Sequence, residues 1–122
     1  LHCDGNLYPV LEDLVATGID GLHAIEPAAG MDIGRVKQLQ GDHLCLLGNI
    51  DCSITLPLGS VSQVKDEVAS CIAKAAPGGG HILSSSNSIH DSVKTENLLA
   101  MIAAARKYGV YPLSGKPRRN EV

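Results

Sequence analysis

Short apolar segments alternate with amphipathic segments along the whole chain, and this alternation limits the folds open to it. Residues 19–27 are typical of a strand ended by proline, and residues 31–41 of a helix ended by glycine. Residues 43–51 are typical of a buried strand that breaks at Gly48. Buried strands that alternate with helices pair in parallel through right-handed crossovers. The pattern therefore predicts an α/β fold.

Two further segments extend the same pattern. Ser60 and Gln63 fit a capping box, in which each side chain satisfies the other's backbone N–H at the start of a helix. The stretch PGGG at residues 77–80 ends that helix, and residues 81–85 are typical of a last strand. When residues 1–4 are counted as the end of a first strand, the chain has about four parallel βα units.

The last amphipathic segment predicts a helix that Thr95 caps and Gly109 ends. Its apolar residues at the helical period are expected on the buried face: Leu98, Leu99, Ile102 and Ala105.

Two architectures contain four such units: a small doubly wound sheet, and half of a (β/α)8 TIM barrel. A whole barrel needs about 250 residues, and the chain has 122. We predict a single domain over residues 1–122, with a flexible tail at residues 113–122. Because residue 1 is not Met, we expect the natural gene product to begin upstream of it.

Composition excludes several classes of partner. The net charge of -3 argues against nucleic acid, and no apolar run is long enough to cross a membrane. The four cysteines form no CxxC pair and show no short disulfide-like spacing. We therefore predict reduced thiols and a cytoplasmic location.

Polar side chains gather where the predicted strands end. In both architectures ligands bind at the carboxyl ends of parallel strands. The candidate site residues at those ends are His2, Asp4, Asn6, Glu26, Asn49, Asp51, Ser85, Ser86, Asn87 and His90. Each alone is also explained by turn chemistry, but all four strands show the same polarity at the same end.

Four stretches together resemble the C-terminal half of the uroporphyrinogen decarboxylase superfamily: HCDGN, GIDGLHAIEP, LLGNID and GGGHILSSSNSIHDSVKTENLLAM. The resemblance covers residues 1–112 and implies half of a (β/α)8 barrel. It also implies one of two chemistries. One branch removes acetate carboxyls from uroporphyrinogen without a cofactor, and the other moves methyl groups between small substrates, corrinoid proteins and coenzyme thiols.

The resemblance further implies a metal site, because the methyltransferase branch often holds zinc on a His-x-Cys pair and a later Cys. The matching positions here are His2, Asp4 and Asn87. Histidine and carboxylate ligands still suit zinc, and we predict a site made of His2, Asp4 and Glu26. A one-residue offset in a strand reverses the side chain, so we expect Cys3 on the other face and His23 toward the helices.

Each candidate has a second interpretation. His2 and Asp4 are two apart on one strand face, where they serve either acid–base chemistry or a hydrogen bond that orders the turn. Asn49 and Asp51 either bind substrate or form an Asx turn. Ser85, Ser86 and Asn87, like Asn6, either bind substrate oxygens or satisfy loop backbone. His90 is the candidate acid–base group of the last loop.

Three functions follow from the resemblance. The first is corrinoid-linked methyl transfer assisted by a metal at the barrel mouth, with the corrinoid as a partner-borne substrate. The second is uroporphyrinogen decarboxylation without a cofactor, although the Gly-His-Gly of that branch falls on Ser-Asn-Ser at residues 86–88. The third is a non-catalytic half-barrel that binds a tetrapyrrole or self-associates. Because half a barrel leaves open sheet edges, we expect a homo-oligomer or a missing N-terminal half as partner, and leave open whether an isolated half is active.

Overall fold

A computed structural model describes residues 1–113, so the predicted tail lies outside the described residues except for Leu113. Within these 113 residues one parallel sheet contains four short strands: β1 (His2–Cys3), β2 (Gly21–Ala24), β3 (Cys45–Leu47) and β4 (His81–Ile82). An isolated parallel bridge between Ile50 and Ser85 continues the pairing of β3 with β4 past the ends of those strands.

The order of the strands distinguishes the two predicted architectures. Each strand pairs with the next one in the chain, giving the order β1-β2-β3-β4 without a reversal. A doubly wound sheet reverses its strand order at a switch point, whereas a barrel does not. The prediction of four parallel βα units from a (β/α)8 barrel is therefore confirmed.

In the described part of the chain five α-helices follow the strands: α1 (Leu11–Ala16), α2 (Ile33–Gln40), α3 (Thr55–Leu58), α4 (Val61–Ala75) and α5 (Thr95–Tyr108). Two 3-10 turns, Tyr8–Val10 and Pro27–Ala29, lie before α1 and after β2. The predicted capping box of α4 is present: Gln63 N–H donates to Ser60 Oγ over 3.2 Å, and Ser60 N–H donates to Gln63 Oε1 over 2.8 Å. Helix α3 has no counterpart in the sequence-based expectation.

The hydrophobic core lies on one face of the sheet only. Leu22 of β2 and Leu46 of β3 are fully buried there, together with Val64 and Val68 of α4. On the opposite face Leu47 is partly buried and Ile82 is 53% exposed. That open face corresponds to the interior of a complete barrel.

Helix α5 is rotated relative to the prediction. Leu99 and Ile102 are exposed, whereas Ala100, Ala104 and Asn97 are buried. The small alanines allow α5 to lie close to α4, and Asn97 Nδ2 donates to the carbonyls of Leu56 and Gly59, both over 2.9 Å. Lys94 rather than Thr95 is the N-cap, and no side chain caps that end, whereas Gly109 ends the helix as predicted.

Among residues 1–113, no helix combines the length and apolar character that a membrane span requires. The cytoplasmic location stays a prediction.

Candidate active site

Four side chains from three strand ends form one group, linked by two hydrogen bonds and one ion-pair contact, which we call the mouth cluster: His2, Asp4, His23 and Asn87. His2 Nε2 lies 3.2 Å from Asp4 Oδ1. Asn87 Nδ2 donates to the same oxygen over 3.0 Å. His2 Nδ1 lies 2.6 Å from His23 Nδ1, and the two rings are tilted by 36° with centroids 4.8 Å apart.

Strand geometry brings these groups together. His2 of β1 is directly opposite His23 of β2 in the parallel register. His2 and Asp4 are two residues apart and share a face, as predicted. Cys3, between them, packs against the hydrophobic core on the other face, as expected.

The expectation that His23 faces the helices is wrong. Leu22 and Ala24, its neighbours in β2, are fully buried on the helix side. Side chains alternate along a strand, so His23 lies on the open face with His2. The sequence contained this signal, because the apolar Leu22 and Ala24 flank His23.

The backbone immediately after His23 is strained. Ala24 and Ile25 have φ angles of 83° and 50°, in the left-handed region that residues with a Cβ seldom adopt. Such strain persists only where the surroundings enforce it, and it clusters at functional sites. Asn49 supplies part of that enforcement, because its Nδ2 donates to the Ile25 carbonyl over 2.8 Å.

Several predicted substrate-binding residues have their polar atoms in local structural hydrogen bonds. Asn6 Oδ1 accepts from Tyr8 N–H over 3.1 Å. Asp51 Oδ1 accepts from the N–H groups of Ser53 and Ile54, which is the Asx arrangement. Asn49 is 8% exposed and bonded to backbone.

The loop of residues 84–88, which we call the serine loop, likewise supports structure. Ser86 is fully buried, and its Oγ accepts from Cys52 N–H over 3.4 Å. Ser85 Oγ donates to the Asn87 carbonyl over 2.6 Å, which helps to hold Asn87 beside Asp4. His90 Nε2 lies 2.8 Å from the Cys52 carbonyl and takes no part in the mouth cluster.

Of the three predicted zinc ligands, His2 and Asp4 lie together and Glu26 does not join them. Glu26 is 6% exposed, and its Oε1 accepts from Ala28 N–H over 3.2 Å at the start of the 3-10 turn. Both ring nitrogens of His2 are already engaged, one by Asp4 and one by His23. Within residues 1–113, no group of three or more His, Cys, Asp or Glu side chains is arranged to hold a metal ion. This arrangement does not fit a three-ligand zinc site.

A buried cysteine and a partly buried histidine meet at the junction of β3, β4 and α4. His81 Nε2 donates to the Gly48 carbonyl over 2.9 Å, and Cys71 Sγ lies 3.5 Å from the same oxygen. Burial raises the pKa of the Cys71 thiol to about 11. Burial also lowers the pKa of His81, although its hydrogen bond to Gly48 acts in the opposite direction. Cys71 is therefore an inert core thiol, and His81 a neutral imidazole.

Acidification should destabilise the fold through His81. The pKa of His81 is lower in the folded than in the unfolded state, so the unfolded chain binds more protons. The free energy of unfolding therefore falls as the pH falls from the unfolded pKa of about 6.5 through the folded pKa. A His81→Gln variant, whose amide can still donate to the Gly48 carbonyl, should lack this contribution to the loss of stability at acidic pH. Urea unfolding at neutral and mildly acidic pH measures the difference. The exposed His43→Gln is the matched control, and an equal acid loss in wild type and His81→Gln would contradict the prediction.

The fold and the mouth cluster together define a class: half of a (β/α)8 barrel that carries an imidazole–carboxylate group where its strands end. The sequence model for uroporphyrinogen decarboxylase (URO-D) matches residues 1–108. The chain belongs to the uroporphyrinogen decarboxylase family.

Relatives of two kinds match the chain. It is 33% identical over 101 residues to a uroporphyrinogen decarboxylase of Alkalilimnicola ehrlichii, covering 80% of this chain and 25% of that protein. It is 32% identical over 109 residues to the methylcobamide:CoM methyltransferase MtaA of Methanosarcina barkeri, covering 88% of this chain and 30% of that protein. A solved methyltransferase from Methanosarcina mazei superposes with a TM-score of 0.75 at 28% identity, covering 90% of this chain and 31% of its own. The chain thus spans only about a third or less of each relative.

Proposed function

We propose that the chain carries part of the active site for methyl transfer from a corrinoid to a thiol. The observation that supports this is the paired imidazoles of His2 and His23, anchored by Asp4 where the strands end. A relative of this chain is named for transfer from methylcobamide to CoM. An imidazole held by a carboxylate is the usual device for taking a proton from a nucleophile.

The mouth cluster has to remove one proton from a thiol. A thiol has a pKa near 8.5, and only its thiolate is a strong nucleophile. An imidazole of the mouth cluster takes the S–H proton. The thiolate sulfur then attacks the methyl carbon, a C–S bond forms, and the cobalt–carbon bond of the corrinoid substrate breaks with its electron pair left on cobalt. The imidazolium returns its proton to solvent.

Decarboxylation of a tetrapyrrole is the second candidate, favoured by the identity to a named decarboxylase. In that reaction we expected Asn49 and the serine loop to bind substrate carboxylates. Asn49 and Ser86 are instead buried and bonded within the protein, which favours methyl transfer. Zinc binding stays a prediction, and no step here depends on it.

The third candidate is a non-catalytic half-barrel. The open face of the sheet, with Leu47 and Ile82, suits either a second copy of the chain or an N-terminal half. Sizing in solution tests self-association.

The test uses the 122-residue chain with methylcobalamin and a small thiol. We expect a change in the corrinoid spectrum on binding, followed by thiol-dependent loss of the methylcobalamin bands. Uroporphyrinogen, assayed in parallel by chromatography, should remain unchanged. Conversion of uroporphyrinogen to less carboxylated products, or binding of methylcobalamin without methyl transfer, would contradict the proposal. His43→Gln is a suitable control, because His43 is exposed and lies outside the mouth cluster.

A further inference from the structure

Strand β4 has one edge without a neighbouring strand in the described part of the chain. On its other edge, the Ile82 carbonyl accepts from Gly48 N–H, just after β3, over 3.0 Å. Alternate residues of a parallel strand bond to the same neighbour, so the backbone groups of His81 and Leu83 point away from β3. The open edge of β4 therefore offers N–H and C=O groups to a further strand.

The open edge of β1 is complementary to that of β4. His23 N–H donates to the Leu1 carbonyl over 2.8 Å, and the register places His2 opposite His23. By the same alternation, the backbone groups of His2 point away from β2. Because the four strands are parallel and in sequence order, β4 of one chain can pair with β1 of another as the next strand of the same sheet.

Helix α4 shows which side of a helix faces which neighbour. Lys74 lies on the α2 side, where its Nζ is 2.8 Å from the carboxylate of Asp32 at the start of α2. Ile72 lies on the α5 side, where it lines a small depression with Tyr108. At about 100° per residue, Lys74 and Ile72 are on opposite sides of the core-facing Val68. Each helix thus turns one side to the preceding helix and the opposite side to the following one.

Helices α5 and α1 have matching apolar sides at the two edges of the sheet. Counted in the sense that α4 sets, Leu98 and Ile102 lie on the side of α5 that faces a following helix. Leu98 is half-buried, and Ile102 is 41% exposed. Val10 and Leu14 lie on the side of α1 that faces a preceding helix, and Val10 is 44% exposed while Leu14 is half-buried.

Charge is complementary at the same two edges. Asp20 is exposed just before β2 and lines an open depression of about 710 Å³ beside β1. Arg106 is exposed in the last turn of α5. The helices of a parallel barrel run back toward the amino ends of the strands, so Asp20 and Arg106 lie at the same end of the fold.

We propose that two copies of this chain close one eight-stranded barrel, in which β4 and α5 of each copy pack against β1 and α1 of the other. Two-fold symmetry makes the two seams identical, so one pair of complementary edges closes both. Eight strands form a barrel whose interior is just filled by side chains, and closure covers Leu47 and Ile82 of the open face. All eight strands run in the same direction, so both mouth clusters lie at one end of the shared barrel.

This inference goes beyond the proposed function and does not depend on it. Sedimentation of the 122-residue chain over a range of concentrations tests it, and we expect twice the mass of one chain. Ile102→Glu places a charge in both apolar seams, so it should raise the dissociation constant of the dimer about 100-fold. Leu58→Glu is the control, because Leu58 is 72% exposed on α3, outside the seams, and its change should leave the dimer intact.

A charge exchange tests the orientation of the two copies. Asp20→Arg and Arg106→Asp should each raise the dissociation constant a few-fold, because each places like charges at both seams. The double variant should recover the wild-type value, which a loss of folding would not permit.

Three outcomes would overturn the inference. A chain that stays monomeric would leave the two edges to an N-terminal half of the barrel. Assembly beyond two copies would show that the edges do not close. A dimer that Ile102→Glu and Leu58→Glu weaken equally, or not at all, would place the interface elsewhere.

Discussion

A His23→Gln variant should transfer methyl groups about 10²- to 10⁴-fold more slowly than the wild-type chain, because that is the usual contribution of a positioned general base. Glutamine can replace the hydrogen bond to His2, but its amide does not take a proton at neutral pH. We therefore expect the loss in kcat for the thiol reaction and little change in the affinity for methylcobalamin. Initial rates of methylcobalamin loss at varied concentrations of thiol and of methylcobalamin measure both parameters.

The control for this prediction is His43→Gln, which makes the same change at an exposed position in the turn before β3. Added imidazole provides a second check, because it can enter the space left in a His23→Ala variant and act as the missing base. Recovery of rate with imidazole in His23→Ala, but not in His23→Gln, is the expected pattern. A His23→Gln variant that reacts at the wild-type rate would show that His23 is not the imidazole of the mouth cluster that takes the thiol proton.

The error over His23 shows where reasoning from the sequence fails at this site. The prediction placed His23 by counting back along the strand from Glu26. That count assumes extended backbone throughout, whereas Ala24 and Ile25 have positive φ angles and interrupt the alternation. The two-residue spacing of His2 and Asp4 crosses no such break, and their shared face was predictable.

Long-range features were predictable only in part. Local periodicity identifies the βα units, but the order β1-β2-β3-β4 depends on pairing between distant segments. Asn87 reaches Asp4 across 83 residues, and only the family resemblance pointed to the two positions together. For Ser86 and Asn49 the sequence leaves open whether they bind substrate or support their loops, because it does not reveal that they are buried and bonded to neighbouring atoms.

Helix α5 illustrates a different limit. A helical period identifies one apolar face, and Leu99 and Ile102 lie on it. The structure buries Asn97, Ala100 and Ala104 instead. Packing against α4 favours small side chains at the contact, and Asn97 gains two backbone carbonyl partners there, so tertiary contacts override the apolar pattern.

A Gly48→Ala substitution should destabilise the fold by about 3 kcal/mol, which is large for a single methyl group. Gly48 has a φ angle of 142°, which residues with a Cβ rarely adopt. An added Cβ would also lie 2.8 Å from the Ala24 carbonyl oxygen of the neighbouring strand. That oxygen is part of the backbone and cannot rotate away as a flexible side chain would.

Gly18→Ala separates the two causes of the loss, because Gly18 also has a positive φ, of 87°, but nothing within 4 Å of its added Cβ. Gly18→Ala should lower the free energy of unfolding by about 1–2 kcal/mol, from backbone strain alone. Urea unfolding of both variants measures the difference, and equal losses would contradict a clash at Gly48.

Because the Gly48 carbonyl accepts from His81 and its neighbour Asn49 holds the strained Ile25, the clash should also disturb the mouth cluster. We therefore expect the ring-nitrogen NMR signals of His2 and His23 to shift in Gly48→Ala and to keep their wild-type positions in Gly18→Ala.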